Sequence, residues 1–397
     1  MKFCISFGKL ELKYFFYCVL YVILEIYMYY FIYYDHENII EKHYLLHSFC
    51  FFLGYLLNII PFWISHKKSK GKEKPLNNKL NKENNYSIDY IYNEPNENSL
   101  PKKEILKILF ICLILLLADI IENIGYKIEN NVYGEIKYND DYFFFEYIII
   151  FVVPKLDKEV YYKHQYISFL ILILVEVIKN IYFFIRELYK KTSIISIVLN
   201  IIYSILYAIY YLYIKGLMKY KYISPYKCNF MIGVINVPII ILISFIISFT
   251  SLGNTNNVYY YDNIFELFKN IGNINAKNII LLILAPFAFG IYAFILIKII
   301  YDYSIFHIYI PVIIQYCIEN IAKKFDPIET IFLILSFLIE LIIIFVFVEI
   351  IEINCCGLNK NLKRNIQSRG TIDSSLVIEN NDDDEIDDER NGETTKL

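Results

Sequence analysis

Polar residues at helical spacing recur inside strongly apolar text. Asp119, Glu122 and Asn123 stand at i, i+3 and i+4, and Glu176, Lys179 and Asn180 repeat that spacing. Gln315, Glu319 and Asn320 form a third polar face, a few residues after Pro311. Residues three and four apart share one side of a helix. On the first face, two carboxylates and an amide converge to bind a cation, a proton or a hydroxyl-rich solute; the bland alternative is that the helix ends there, at the lipid headgroups. On the second, Glu176 and Lys179 can neutralise each other, so the pair reads either as structural or as a gating or substrate contact. On the third, the proline frees a carbonyl, and broken backbone of this kind is tolerated where it lines a cavity. Lys298 offers a cation to a phosphate or carboxylate, or else snorkels to an interface. Glu340 and Glu25 lie deep in apolar runs; Glu340 pairs with a neighbouring helix or marks a homodimer contact.

The elements that carry these groups are long and apolar. A bilayer-spanning helix needs roughly 20 mostly apolar residues, and ten stretches approach or exceed that length: 14–34, 44–64, 105–124, 138–156, 164–186, 193–214, 226–250, 278–301, 304–323 and 328–353. The fourth is the shortest, with an apolar heart of only 142–153. A charge at mid-bilayer costs about 2.5–3.5 kcal/mol on insertion scales, so an intramembrane carboxylate is hidden in the bundle or lines a wet path. The 397 residues are 57% hydrophobic, which excludes an ordinary soluble protein, and a net charge of −3 gives no global field for nucleic acid. The partners expected are therefore the lipid bilayer and a small-molecule solute. The 39 tyrosines occur at nearly every depth and are discounted as a chemical signal.

Lysine placement orients the bundle. Residues 65–104 carry Lys67, Lys68, Lys70, Lys72, Lys74, Lys79, Lys82, Lys102 and Lys103, and the loop after the sixth stretch carries Lys215, Lys219, Lys221 and Lys227. Cationic loops stay cytoplasmic, so an even number of crossings puts both termini in the cytoplasm. Arg186, Lys190 and Lys191 run against this count. The sequon Asn85-Tyr86-Ser87 is then cytoplasmic and stays unmodified. The first stretch reads as a retained helix, since it holds Glu25 and no cleavage site follows. The organisation expected is a first five-helix unit (1–190) with a disordered Lys/Asn-rich loop at 65–104, a second unit (191–354), and a disordered acidic tail (355–397).

No nucleophile elbow, phosphate loop or dinucleotide fingerprint is present, and His43 and His47 lack partners to complete a metal site. No enzyme activity, metal or cofactor is expected. The eight cysteines form no C-x-x-C pair and read as small buried hydrophobes, with palmitoylation a minority reading for Cys355 and Cys356.

Local text then resembles a known family. Tyr203-Ser204-Ile205-Leu206-Tyr207-Ala208-Ile209-Tyr210, followed by Lys215-Gly216-Leu217-Met218-Lys219 and Ser224-Pro225-Tyr226, resembles the sixth helix and basic loop of the drug/metabolite transporter superfamily. Gly233 stands where that family opens its next helix with a small residue at a close contact. Ala118 to Tyr126 is similar to its third helix, Tyr162 to Ser168 to the start of its fifth, and Glu349 to Lys360 to the end of the tenth in nucleotide-sugar-transporter-like members. The resemblance covers roughly residues 14–365. It implies two inverted five-helix repeats, a mid-membrane site at their interface, and alternating-access transport of a small polar solute such as a nucleotide sugar, in an endomembrane of Golgi or vacuolar type. The other readings are a non-transporting membrane scaffold or receptor-like protein and a membrane-embedded lipid-modifying enzyme.

Overall fold

The computed structural model describes residues 5–7, 11–28, 43–64, 102–133, 143–156, 161–190, 194–221, 223–251, 262–270, 276–322 and 327–353. Long apolar runs with few helix breakers leave only one way to satisfy the backbone in lipid, which is helix. The helices are α1 (Leu12–Met28), α2 (Tyr44–Leu57), α3 (Lys102–Tyr133), α4 (Phe143–Leu156), α5 (Lys163–Lys190), α6 (Ile194–Lys221), α7 (Pro225–Ser248), α8 (Ile264–Asn270), α9 (Ala276–Asp302), α10 (Tyr309–Ala322) and α11 (Pro327–Phe347). After a turn at Asn58 the path of α2 stays helical to residue 64. Each of the ten stretches read from the sequence holds one of these helices, and the short α8 is additional.

Among the described residues six helices are long and apolar enough to cross a membrane: Leu45–Ile64, Lys163–Tyr182, Val198–Met218, Pro225–Ser248, Ile279–Asp302 and Thr330–Phe347. The other four fall short for visible reasons. Within the described residues α1, α4 and α10 have 17, 14 and 14 residues, and α3 carries Lys107, Asp119 and Glu122 within its apolar length. α5 shows which solvent the bundle is built for. It turns Ile167, Leu170, Leu174, Ile178 and Ile181 outward and buries His164, Ser168, Glu176 and Lys179. Apolar outside and polar inside is the inverse of a soluble helix, and the chain is a helical membrane protein.

Contacts at the helix ends set the direction of each element. At one end, Lys13 at the start of α1 pairs with Asp302 at the end of α9 (2.6 Å), and the Tyr14 hydroxyl donates to the His307 carbonyl just before α10. There too the strand β1 (Ile5–Phe7) pairs antiparallel with β2 (Ile351–Ile353), which follows α11. At the other end, Asp262 accepts from the Leu45 amide at the start of α2 (2.9 Å) and meets His43 Nδ1 at 2.8 Å. Successive long helices therefore alternate in direction, and β1 and β2 lie at the same end.

The packing is specific. α1 lies on α9 and α10; α2 on α7 and α9, with a lighter contact to α3; α3 on α6 and α7; α4 on α5 and α6; α11 on α5 and α10. Lipid gives no hydrophobic drive between helices, so small residues and polar links decide these contacts. Gly54 of α2 faces Gly290 of α9, and Gly233 of α7 lies against Leu56 of α2. Asn58 donates to the Gly290 carbonyl (3.2 Å), and Asn236 of α7 donates to the Cys112 carbonyl of α3 (3.1 Å). Asn229 links α7 to the Ala293 carbonyl at 3.0 Å.

Three expectations change. The stretch 105–124 belongs to a helix that runs to Tyr133, so Asp119 is not at a helix end. The stretch 328–353 is helical only to Phe347; Glu349 then takes the left-handed conformation (φ 65°) and the chain turns into β2. The stretch 304–323 opens with a 3-10 turn at Ile305–Ile308 before α10. The 65–104 loop up to residue 101, with its sequon, and the tail from residue 354, with Cys355 and Cys356, lie outside the described residues.

Candidate functional site

Two buried polar groups stand out, and they differ in kind. The first is closed. Lys179 of α5 donates to Glu176 on its own helix (2.7 Å) and to Glu340 of α11 (2.9 Å), and all three side chains are 0% exposed. Asn180 donates to the Glu176 carbonyl (2.8 Å) and reaches its carboxylate at 3.3 Å. Phe337 and Phe143 present their rings to the ammonium at 4.8 and 5.8 Å. One ammonium between two carboxylates leaves −1 when all are ionised. The arrangement pins α5 to α11 and surrounds its charges with rings. Glu340 thus answers the sequence alternatives in favour of a partner on a neighbouring helix.

The second group is central and spread over seven helices. In α4, Glu146 is 5% exposed and accepts from the Tyr309 hydroxyl of α10 at 2.8 Å. In α1, Tyr21 shares a 3.1 Å hydrogen bond with Tyr292 of α9. Tyr211 of α6 is within electrostatic reach of Glu146, Glu25, Glu122 and Tyr55. Tyr207 on the same helix reaches Glu122 and Asp119, and Tyr292 reaches Glu25, Tyr207 and Tyr211. Hydroxyls that donate or accept thus interleave with carboxylates that only accept. Asp119 is 2% exposed and sits against Ser48, while its Oδ2 has no hydrogen-bond partner. Among the described residues Lys179 is the sole buried lysine, and no arginine is buried. The rings of Phe143 and Phe337 stand beside that lysine, and Phe143 in turn packs on Tyr309, with centroids 5.7 Å apart.

The sequence-read candidates divide between these places. Asp119, Glu122 and Asn123 belong to the centre; Asn123 donates to Ser48 (3.0 Å) and to the Asp119 carbonyl (2.8 Å). Glu176, Lys179 and Glu340 form the closed group. Lys298 is near one end, half-buried, and bonded to Asp302 at 3.2 Å, which also holds Lys13. Gln315 is buried in α10; the side chains of Glu319 and Asn320 lie outside the described residues. Glu146 and the central tyrosines were missed. Glu146 was in plain view as a lone carboxylate in Phe143-Phe144-Phe145-Glu146-Tyr147, and the tyrosines were lost to a composition-wide discount.

Among the described residues no three His, Cys, Asp or Glu side chains are grouped to hold a metal, and Cys18, Cys50, Cys112, Cys228 and Cys317 are free thiols. Compared with known proteins, the sequence matches no family model and no curated protein.

Proposed function

We propose that this chain is a ten-helix secondary transporter that moves a small polar organic solute by alternating access, built from two inverted five-helix repeats with α8 as an insertion. The packing carries this reading. Let α1 to α5 correspond in order to α6, α7, α9, α10 and α11. The pair α1–α9 then answers to α6–α3, α2–α9 to α7–α3, α1–α10 to α6–α4, α7–α9 to α2–α3, and α10–α11 to α5–α4. The pairs α2–α7 and α5–α11 map onto themselves. Because the helices alternate and each half has five, corresponding helices run in opposite directions, as inverted repeats require.

The correspondence reaches single residues. Asn58 on α2 holding the Gly290 carbonyl of α9 is answered by Asn236 on α7 holding the Cys112 carbonyl of α3. Inverted repeats place the solute near mid-membrane where the halves meet, and the Glu146–Tyr309 cluster draws residues from both halves. With β1 and β2 at one end, the lysine-rich 65–104 loop and both termini fall on the same, cytoplasmic side, in an endomembrane.

A scaffold without transport has one observation in its favour, the Glu176–Lys179–Glu340 group, in which one ammonium pairs with both carboxylates. The unsatisfied carboxylate oxygen of Asp119 speaks against it. The test is uptake of a metabolite panel into proteoliposomes holding the full chain. Saturable flux that falls when Glu122 becomes Ala supports transport. Flux no different from protein-free vesicles across the panel removes it.

A further inference from the structure

The central cluster bears on the sign of the solute's charge. We infer that it takes an organic cation, a protonated amine with an aromatic or apolar body, rather than a phosphate-bearing solute; this rests on the transport reading above. Four carboxylates converge there from three helices: Glu25 of α1, Asp119 and Glu122 of α3, and Glu146 of α4. Among the described residues Lys179 is the sole buried lysine, and Lys215, one turn beyond Tyr211 on α6, is within electrostatic reach of His307. Lys179 is held by two carboxylates, and Lys298 by Asp302. An anion entering the cluster would meet like charge in a medium that screens poorly, whereas an ammonium would meet opposite charge.

A second observation points the same way. Asp119 is almost wholly buried, yet its Oδ2 has no hydrogen bond, and the group is within reach of Tyr55 and Tyr207. A buried acceptor left open is expensive unless something that donates arrives to fill it. An alkylammonium brings three N–H donors and a positive charge. The walls suit the rest of such a molecule: Tyr21, Tyr207, Tyr211, Tyr292 and Tyr309 supply ring faces for a cation and hydroxyls for its polar edges.

The test uses the full chain in proteoliposomes with three labelled probes: tyramine, phenethylamine and UDP-glucose. Saturable uptake of an amine is expected, competed by the other amine and unaffected by UDP-glucose. It should fall at least tenfold in Glu146→Gln and in Asp119→Asn, with the melting temperature in detergent within a few degrees of the parent. Should both variants fail to fold, Tyr309→Phe serves, since it removes only the hydroxyl that Glu146 accepts from. Saturable UDP-glucose uptake without amine uptake would overturn the cation inference and leave transport standing. Uptake of no probe also overturns it, and the wider panel then decides transport separately. Amine uptake unaltered in the folded variants would overturn the assignment of this cluster.

Discussion

Gly54 and Gly290 bring α2 and α9 into backbone contact: a β-carbon placed on Gly54 would lie 2.6 Å from the Gly290 amide nitrogen. Gly233 makes a comparable approach to α2, where an added β-carbon would lie 2.5 Å from the Leu56 nitrogen. α2 is thus held between α9 and α7.

Gly54→Ala and Gly233→Ala are therefore expected to destabilise the fold, each by about 1–3 kcal/mol, the usual range for overpacking. Gly216 is the control, because nothing lies within 4 Å of its would-be β-carbon. Gly216→Ala should be neutral or gain up to about 1 kcal/mol of helix propensity. Thermal melts of the purified variants in detergent separate these outcomes, and equal melting temperatures for all three would contradict the close approach.

Lys179→Met leaves Glu176 and Glu340 buried together and is expected to cost about 3–5 kcal/mol. Replacing the whole group (Glu176→Leu, Lys179→Met and Glu340→Leu together) should recover most of that loss, since lipid-facing bundles need no charge there. Folded yield and melting temperature read both. A triple variant as unstable as the single one would show that the group does more than pin α5 to α11.

The pairing of β1 with β2 places Ile5 opposite Ile353. Facing residues in an antiparallel pair have Cα atoms about 4.5–5.5 Å apart, inside the range for a disulfide. With Cys4 replaced by Ser, Ile5→Cys and Ile353→Cys should crosslink on mild oxidation, giving a faster-running band on non-reducing gels. No crosslink in folded protein would separate the two ends and undo the even count of crossings.

Much of the fold could be read from the chain, because membrane helices must be long, apolar and self-satisfied; the ten stretches are where the helices are. Polar ends were harder. α3 runs on to Tyr133 through Lys127, Glu129 and two asparagines, which apolar length alone does not register. The β1–β2 pair joins two three-residue segments from opposite ends of the sequence, and no local periodicity links them. The same limit applies to the sites. Glu176 and Lys179 share a helix turn, so their pairing was legible; that Glu340 completes it depends on how α11 packs. Glu146 was available to a reading of apolar runs, but its place beside Tyr309 and Tyr211 exists only once three helices converge.

Asn58→Leu and Asn236→Leu each remove one amide-to-carbonyl link between helices. Such bonds in membranes average about 0.6 kcal/mol, so each single loss should be small and of similar size. Asn58 also accepts from Asn229, a 3.4 Å contact that Asn236 does not have an equivalent for among the described bonds, so the α2 variant should suffer slightly more. Paired melts of the two variants check this.

The central claim is that two inverted halves carry a solute through the Glu146–Tyr309 centre by alternating access. Counterflow tests it most directly. Proteoliposomes holding the full chain are preloaded with an unlabelled solute that the uptake screen identifies, and entry of the labelled solute is followed. The account predicts that preloading speeds entry several-fold and produces a transient overshoot, and that both disappear in Glu146→Gln while the protein stays folded. Entry that is indifferent to preloading, or an overshoot that survives in Glu146→Gln, would contradict it.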